Sequence, residues 1–159
     1  MSLELKKQSN PFSTGGGGVN FETRVQAVFA LSLFAKSCVP CLSQHMRAKE
    51  LKFQNKYEGV NTDDFVLVAI DKSNNQSQLF AQIKHEITIS ESADSMFAEV
   101  INSAWKDFKS TNFDIENDSI ALITGPLPKL EVNNTLPILE WAKYSSNSED
   151  FIRLTGIAA

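Results

Sequence analysis

An acid, an amide and a lysine flank two apolar segments in the middle of the chain. Asp64 directly precedes the first segment, Phe65–Ile70, and Gln82 and Lys84 interrupt the end of the second, which begins at Leu79. Side chains alternate between the two faces of a strand, so Gln82 and Lys84 point the same way. Carboxylate and amide oxygens suit a hard divalent cation, and a lysine can stabilise negative charge that develops on a phosphate. The set therefore predicts a hydrolytic metal site for Mg²⁺.

Two further carboxylates belong to this candidate site. Asp63 adjoins Asp64, and neighbouring residues of a strand point to opposite faces. We expect Asp64 to be the metal ligand because it shares a face with Val66 and Val68, and Asp63 is the alternative. Glu22, at the polar start of the first predicted helix, can add a carboxylate to the cluster. The competing interpretation is structural: the aspartates end a turn, and the lysine extends from a strand edge.

The spacing of apolar residues predicts the elements that position these side chains. In chain order they are a helix over Asn20–Lys36, a short strand around Leu51–Phe53, a hairpin with strands at Phe65–Ile70 and Leu79–Ile83, a helix over Ser95–Lys109, a strand over Ser119–Thr124, and a helix over Asn134–Ser145 with Pro137 in its first turn.

This order predicts an α/β fold of three layers, in which helices flank a central mixed sheet. Both hairpin strands are nearly continuous apolar runs, as expected for strands that are covered on both faces. Asn20 is the expected N-cap of the first helix, and Ser92 or Asp94 is the expected cap of the second.

The helices carry many of the residues expected in the core. The first helix is apolar almost all round, which predicts that it is buried. Trp105, Phe108 and Trp141 fall at helical spacings, so we expect them to pack in the core and not to form platforms on which bases stack.

The chain has 159 residues and a net charge of −4. No stretch of eighteen uninterrupted apolar residues is present, which argues against a membrane span, and residues 1–18 lack the apolar core of a signal peptide, which favours the cytoplasm. The negative charge disfavours a surface built to coat nucleic acid but allows a cleft with a local basic lining.

Domain boundaries follow from composition. We expect a flexible arm over residues 1–19, a folded domain over 20–154, and from 155 onwards a linker to a following module. The glycine run Gly15–Gly18 allows a second interpretation, a backbone that lies close to a ligand or a neighbouring strand.

Cys38 and Cys41 form a CxxC pair, a pattern found in thiol redox proteins and in half of a zinc site. A thioredoxin-like pair follows a strand and opens a helix, whereas this pair follows a helix and contains Pro40. A zinc site needs two more ligands, and His45 is the only nearby histidine. We expect two reduced, partly buried thiols.

The segments TDDFVLVAID and AQIKHE resemble the core of the PD-(D/E)xK nuclease superfamily, the restriction-endonuclease-like fold. In that family an acid starts one strand, and an acid or glutamine followed by x-Lys lies on the next. A glutamate often stands in the preceding helix, as in the Mrr-like branch. Residues 15–128 are also similar to the N-terminal effector nucleases of antiviral STAND NTPases.

The resemblance implies a Mg²⁺-dependent endonuclease, with Mn²⁺ able to substitute, that cleaves double-stranded DNA as the effector domain of a bacterial antiphage defence protein. It assigns Asp64, Gln82 and Glu22 to the metal, with Asp63 in reserve, and Lys84 to the attacking water. It also implies a homo-oligomer assembled through a following NTPase module, and no membrane partner.

One departure from the family pattern keeps an alternative open. Gln82 stands where the family more often has an acid, so the site has one carboxylate fewer. The alternative, from a different class, is a catalytically silent nuclease-like fold that serves as an assembly or binding module.

Overall fold

The computed structural model describes residues 16–53, 59–62, 64–90 and 92–156. The chain separates after Gly125 into two compact units, unit 1 and unit 2, which are treated in turn. The helices and strands in chain order are α1 Gly16–Phe34, β1 Arg47–Phe53, β2 Phe65–Ile70, β3 Gln76–Lys84, α2 Met96–Phe108, β4 Ser119–Thr124, α3 Lys129–Tyr144 and α4 Ser148–Thr155.

Unit 1 is a mixed α/β structure built on one four-stranded sheet in the order β1-β2-β3-β4. The first two pairs are antiparallel, with Phe65 opposite Ala81 in the hairpin, while β3 and β4 are parallel. A parallel pair needs a crossover connection, and α2 lies in it. The predicted mixed sheet is confirmed, and β1 is longer than the predicted strand, with a bulge between Ala48 and Glu50.

The two faces of the hairpin lie toward different helices. Phe65 and Leu67 of β2 and Ala81 of β3 are fully buried in a core to which α1 contributes Phe29. The opposite face carries the intervening residues, such as Phe80, and it lies toward α2 and the loop that follows it. A helix therefore lies on each face of the sheet, which is compatible with three layers.

The start of α1 differs from the prediction. The helix begins at Gly16, so Asn20 lies inside it and is not an N-cap, and the Thr23 hydroxyl donates to the Val19 carbonyl at 2.8 Å. The predicted arm therefore overlaps the helix over Gly16–Val19. Glycine disfavours a helix only by about 1 kcal/mol per residue, a weak preference that a longer helix can overcome.

The expectation that α1 is buried all round is wrong. Its inward stripe is covered, but Val28, Leu31 and Phe34 are 58%, 67% and 89% exposed. The sheet covers only one side of a helix that packs on it, so the remaining apolar side chains face outward.

Helix α2 is capped by Ser95, whose hydroxyl accepts from the Ala98 N–H at 3.1 Å, and not by Ser92 or Asp94. Of its apolar stripe only Val100 is buried, and Trp105 is 54% exposed, which contradicts the expected core position. The Trp105 ring instead stacks on Phe108 near the surface, with ring centroids 5.5 Å apart.

Unit 2 consists of two helices. Helix α3 begins at Lys129, five residues before the predicted start, and contains Pro137 in its interior. Helix α4 was not predicted, although its signals are visible: the Asn147 side chain accepts from the Asp150 N–H at 2.9 Å, and Gly156 ends the helix at φ 65°.

No helix in the described part of the chain combines the length and the apolar character that crossing a membrane requires.

A buried carboxylate ties α2 to the loop that leads into β2. Asp107 is 2% exposed, and its oxygens accept from the Asn61 N–H at 2.7 Å, the Asn61 side-chain amide at 2.8 Å and the Thr62 N–H at 2.6 Å. A buried charge is tolerated when it is hydrogen-bonded in this way, and each such bond to a charged group is stronger than a neutral one.

We expect Asp107→Ala to destabilise unit 1 by about 3 kcal/mol, because three donors of the loop lose their acceptor in a buried place. Urea unfolding followed by Trp105 fluorescence measures this, in a Trp141→Phe background that leaves one of the two tryptophans. The matched control is Glu116→Ala, an exposed acid, for which we expect a change within about 0.5 kcal/mol. Equal effects of the two substitutions would contradict this role of Asp107.

The hairpin turn is organised by Asp71. Its carboxylate accepts from the Asn75 side-chain amide at 2.8 Å and from the N–H groups of Asn75 and Ser73 at 2.9 Å and 2.7 Å. The side-chain bond from Asn75, followed by these backbone bonds, lowers the pKa of Asp71 below its ordinary value of 3.8. The bonds favour the ionised carboxylate, so the turn is stabilised only while Asp71 is charged.

We expect Asp71→Ala to lower the urea midpoint at pH 6, and the difference from the wild type to shrink as the pH falls below 3.8 through the lowered pKa. The stabilisation is fully present above the ordinary value and is lost in acid, because protonation removes the negative charge that strengthens these hydrogen bonds. Midpoints at pH 6, 4.5 and 3 for both proteins test this, since other carboxylates contribute equally to both. A difference that stays constant with pH would refute it.

Candidate functional site

A polar cleft of about 410 Å³ lies on the α2 face of the sheet. Three segments form its walls: the loop before β2, the end of β3 and the first three turns of α2. The lining residues are Gly59, Val60, Asn61, Gln82, Lys84, Glu99, Val100, Ser103 and Lys106. A volume of this size falls in the range of ordinary small-molecule sites, about 300 to 1,000 Å³.

Gln82 and Lys84 enter the cleft together from β3. Their neighbours Ala81 and Ile83 are buried on the opposite face in the core shared with α1, in agreement with the expected alternation. Gln82 is 8% exposed and lies deep in the cleft, whereas Lys84 is half-buried at the strand end. Gln82 and Lys84 thus line one cavity, in which the Gln82 amide oxygen itself is fully buried.

Asp64 lies beside the same part of β3. Its carboxylate Oδ2 accepts from the Ile83 N–H, and Asp64 directly precedes Phe65, which pairs with Ala81 in the hairpin. The structure therefore brings Asp64 to the end of β3 that carries Gln82 and Lys84. Asp63 lies outside the described residues.

Glu22 is not brought to the cleft. It lies on α1, which packs against the other face of the sheet, and its Oε1 accepts from the Gln26 side-chain amide at 2.9 Å. Its neighbour Phe21 contacts the ring of His85, with centroids 5.3 Å apart, so this end of α1 lies near the end of β3 on the core side. The packing of α1 decides this position, and the sequence spacing does not show it.

Helix α2 supplies residues that the sequence interpretation missed. Glu99, Ser103 and Lys106 are spaced by four and three residues, so they form one stripe along the helix. The stripe faces the β3 residues across the cleft. Its polar character is visible in the sequence, but the strand that it faces is a tertiary feature.

The donor set fits a hard divalent cation in its chemistry. Asp64 offers a carboxylate and Gln82 an amide oxygen, and Mg²⁺ is commonly bound through one or two carboxylates, with water and phosphate oxygens completing its shell. Among residues 16–53, 59–62, 64–90 and 92–156, no group of three or more His, Cys, Asp or Glu side chains is arranged to hold a metal.

The two cysteines form a separate feature. Both are free, as expected, but both are exposed, which contradicts the expected partial burial. Arg47 Nη1 donates to Cys38 Sγ at 2.8 Å, and the Cys41 carbonyl accepts from the Ser119 hydroxyl at 2.8 Å. These contacts attach the loop after α1 to β1 and β4.

The chain matches no protein-family model, no curated protein and no solved structure.

Proposed function

We propose that the chain is a Mg²⁺-dependent endonuclease that cleaves double-stranded DNA, with a restriction-endonuclease-like fold. The observation that carries the proposal is the cleft in which Gln82 and Lys84 lie together, with Asp64 beside them and Lys106 on the facing helix. We further propose that the domain acts as the effector of a bacterial antiphage defence protein. That setting rests on the sequence resemblance alone.

The chain's own residues divide the work of phosphodiester hydrolysis. Asp64 and Gln82 would hold the metal ion, which supplies Lewis-acid stabilisation of the phosphate oxygens when bound. Lys84, two residues further along the strand, orients the attacking water and offsets charge that develops on the phosphate. Lys106 enters from the opposite wall and binds a neighbouring phosphate of the DNA backbone.

A second candidate function is a catalytically silent assembly module. The exposed apolar side of α1 favours it, because Leu31 and Phe34 are 67% and 89% exposed and such residues are often covered by a partner. A nuclease activated by homo-oligomerisation also needs a contact surface, so this exposed side of α1 does not by itself exclude the first function, and the plasmid-cleavage assay separates the two.

We expect Lys84→Ala to reduce Mg²⁺-dependent plasmid cleavage by about a hundredfold or more, because a preorganised charge at the reacting phosphate is lost. The matched control is Lys72→Ala, an exposed lysine in the hairpin turn at the opposite end of β3, which should cut at the wild-type rate. The assay uses the full chain fused to a trimerising coiled coil, so that a requirement for clustering is met. Cleavage that survives Lys84→Ala, or that needs no metal, would refute the proposed site.

We expect Lys106→Gln to weaken DNA binding and to reduce the slope of log K against log salt by about 0.9, as loss of one phosphate contact requires. Fluorescence anisotropy with a labelled duplex in EDTA, across a series of KCl concentrations, measures binding without cleavage. Lys72→Gln is the control and should leave the slope unchanged. An unchanged slope in Lys106→Gln would show that this lysine does not contact the backbone.

A further inference from the structure

Glu99, an exposed acid of α2, lines the same cleft as Gln82, the strand position where an acid is absent. Glu99 stands in the first turn of α2 and lines the same cavity as Gln82 and Lys84. A ligand in that cavity thus meets an amide and an ammonium group from β3 and a carboxylate from the helix.

The position of Glu99 is fixed by the elements around it. Ser95 caps the helix one turn before it, and the Glu99 N–H donates to the Ser95 carbonyl at 3.1 Å. The next residue, Val100, is 4% exposed and anchors the turn to the sheet, while Asp107 holds the far end of α2 to the loop before β2. A carboxylate on such a rigid element can meet the geometric demands of a metal site.

The Glu99 carboxylate is also available. Across residues 16–53, 59–62, 64–90 and 92–156 it takes part in no hydrogen bond or ion pair, although Lys84 and Lys106 line the same cleft. By contrast, the carboxylates of Asp64 and Glu22 accept hydrogen bonds from Ile83 and Gln26. An acid without a structural contact in a polar cleft is a candidate ligand for a cation.

We propose that Glu99 supplies the second carboxylate of the divalent-metal site formed with Asp64 and Gln82. The proposal rests on the proposed nuclease function and extends it. One carboxylate and one amide give a single negative charge, whereas Glu99 raises the charge to two, within the range by which proteins hold Mg²⁺ or Mn²⁺. The acid that position 82 lacks is replaced from the facing helix.

The test is Mn²⁺ binding by the full chain, measured by electron paramagnetic resonance of free Mn²⁺ without DNA. We expect Glu99→Gln to weaken binding about tenfold or more, as loss of a charged ligand should, while the fold shown by circular dichroism is kept. Glu116→Gln, an exposed acid outside the cleft, is the matched control and should bind like the wild type.

A compensating variant makes the test sharper. In the double variant Glu99→Gln, Gln82→Glu the carboxylate returns on β3, so Mn²⁺ affinity should recover at least in part. Lys84→Ala should keep Mn²⁺ binding and lose only cleavage, because Lys84 is not a ligand.

The outcomes separate the two proposals. Wild-type Mn²⁺ binding that Glu99→Gln leaves unchanged overturns the role of Glu99, while metal-dependent cleavage by the wild type would still support the nuclease. If the wild-type chain binds no Mn²⁺, the metal site and the role of Glu99 are both overturned. If the clustered wild-type chain does not cut DNA, the nuclease function is overturned, whatever the Mn²⁺ measurement shows.

Discussion

The carboxylate of Asp107 joins parts of unit 1 that lie 45 residues apart in the chain, the end of α2 and the loop before β2. That loop is one wall of the cleft and α2 is another, so the width of the cleft depends on this contact. The contact is favourable because three N–H donors converge on one buried charge. Apart from Asp107, Val100 is the one residue of α2 that is buried. A single apolar side chain defines the orientation of the helix on the sheet less well than directed hydrogen bonds do.

A second constraint acts on the hairpin. Its two strands must contribute apolar side chains to the core on one face and polar side chains to the cleft on the other. Ala81 and Ile83 continue the core beneath α1, and the residues between and after them are polar. Burying the Gln82 amide is costly in an apolar environment. The cost is acceptable on this face because α2 presents a polar stripe there, so the strand and the helix have to match each other along the cleft.

How far the sequence predicts this structure depends on whether a feature is local. The strands β2 and β4 and the facing of Gln82 and Lys84 were predicted because alternation and apolar runs are local patterns. The start of α1 was not predicted. A glycine run disfavours a helix by itself, and here the neighbouring helical turns override that preference. Asp107 was missed because an acid on an amphipathic helix usually faces water, and its partners are distant in sequence.

The candidate site likewise combines local features, which the sequence predicts, with features that depend on tertiary packing. Hairpin register brings Asp64 to the end of β3 where Gln82 lies, and register follows from a short turn, so this proximity could be predicted. Helix docking decides on which side of the sheet Glu22 lies. It also decides that Glu99 and Lys106 line the cleft. Helix docking is decided by packing over many residues, and no single motif records it.

The charge of the chain also bears on the proposed substrate. A net charge of −4 disfavours a polyanion at long range. At physiological salt, however, exposed charges are screened beyond about 8 Å, so a phosphate in the cleft responds mainly to the groups that line it. Among the described residues that line the cleft, Lys84 and Lys106 supply two positive charges and Glu99 supplies one negative charge. A divalent cation bound between Glu99 and Asp64 would offset the repulsion between the Glu99 carboxylate and a phosphate and would itself bind the phosphate. An acidic chain could therefore still bind the proposed nucleic-acid substrate in this cleft.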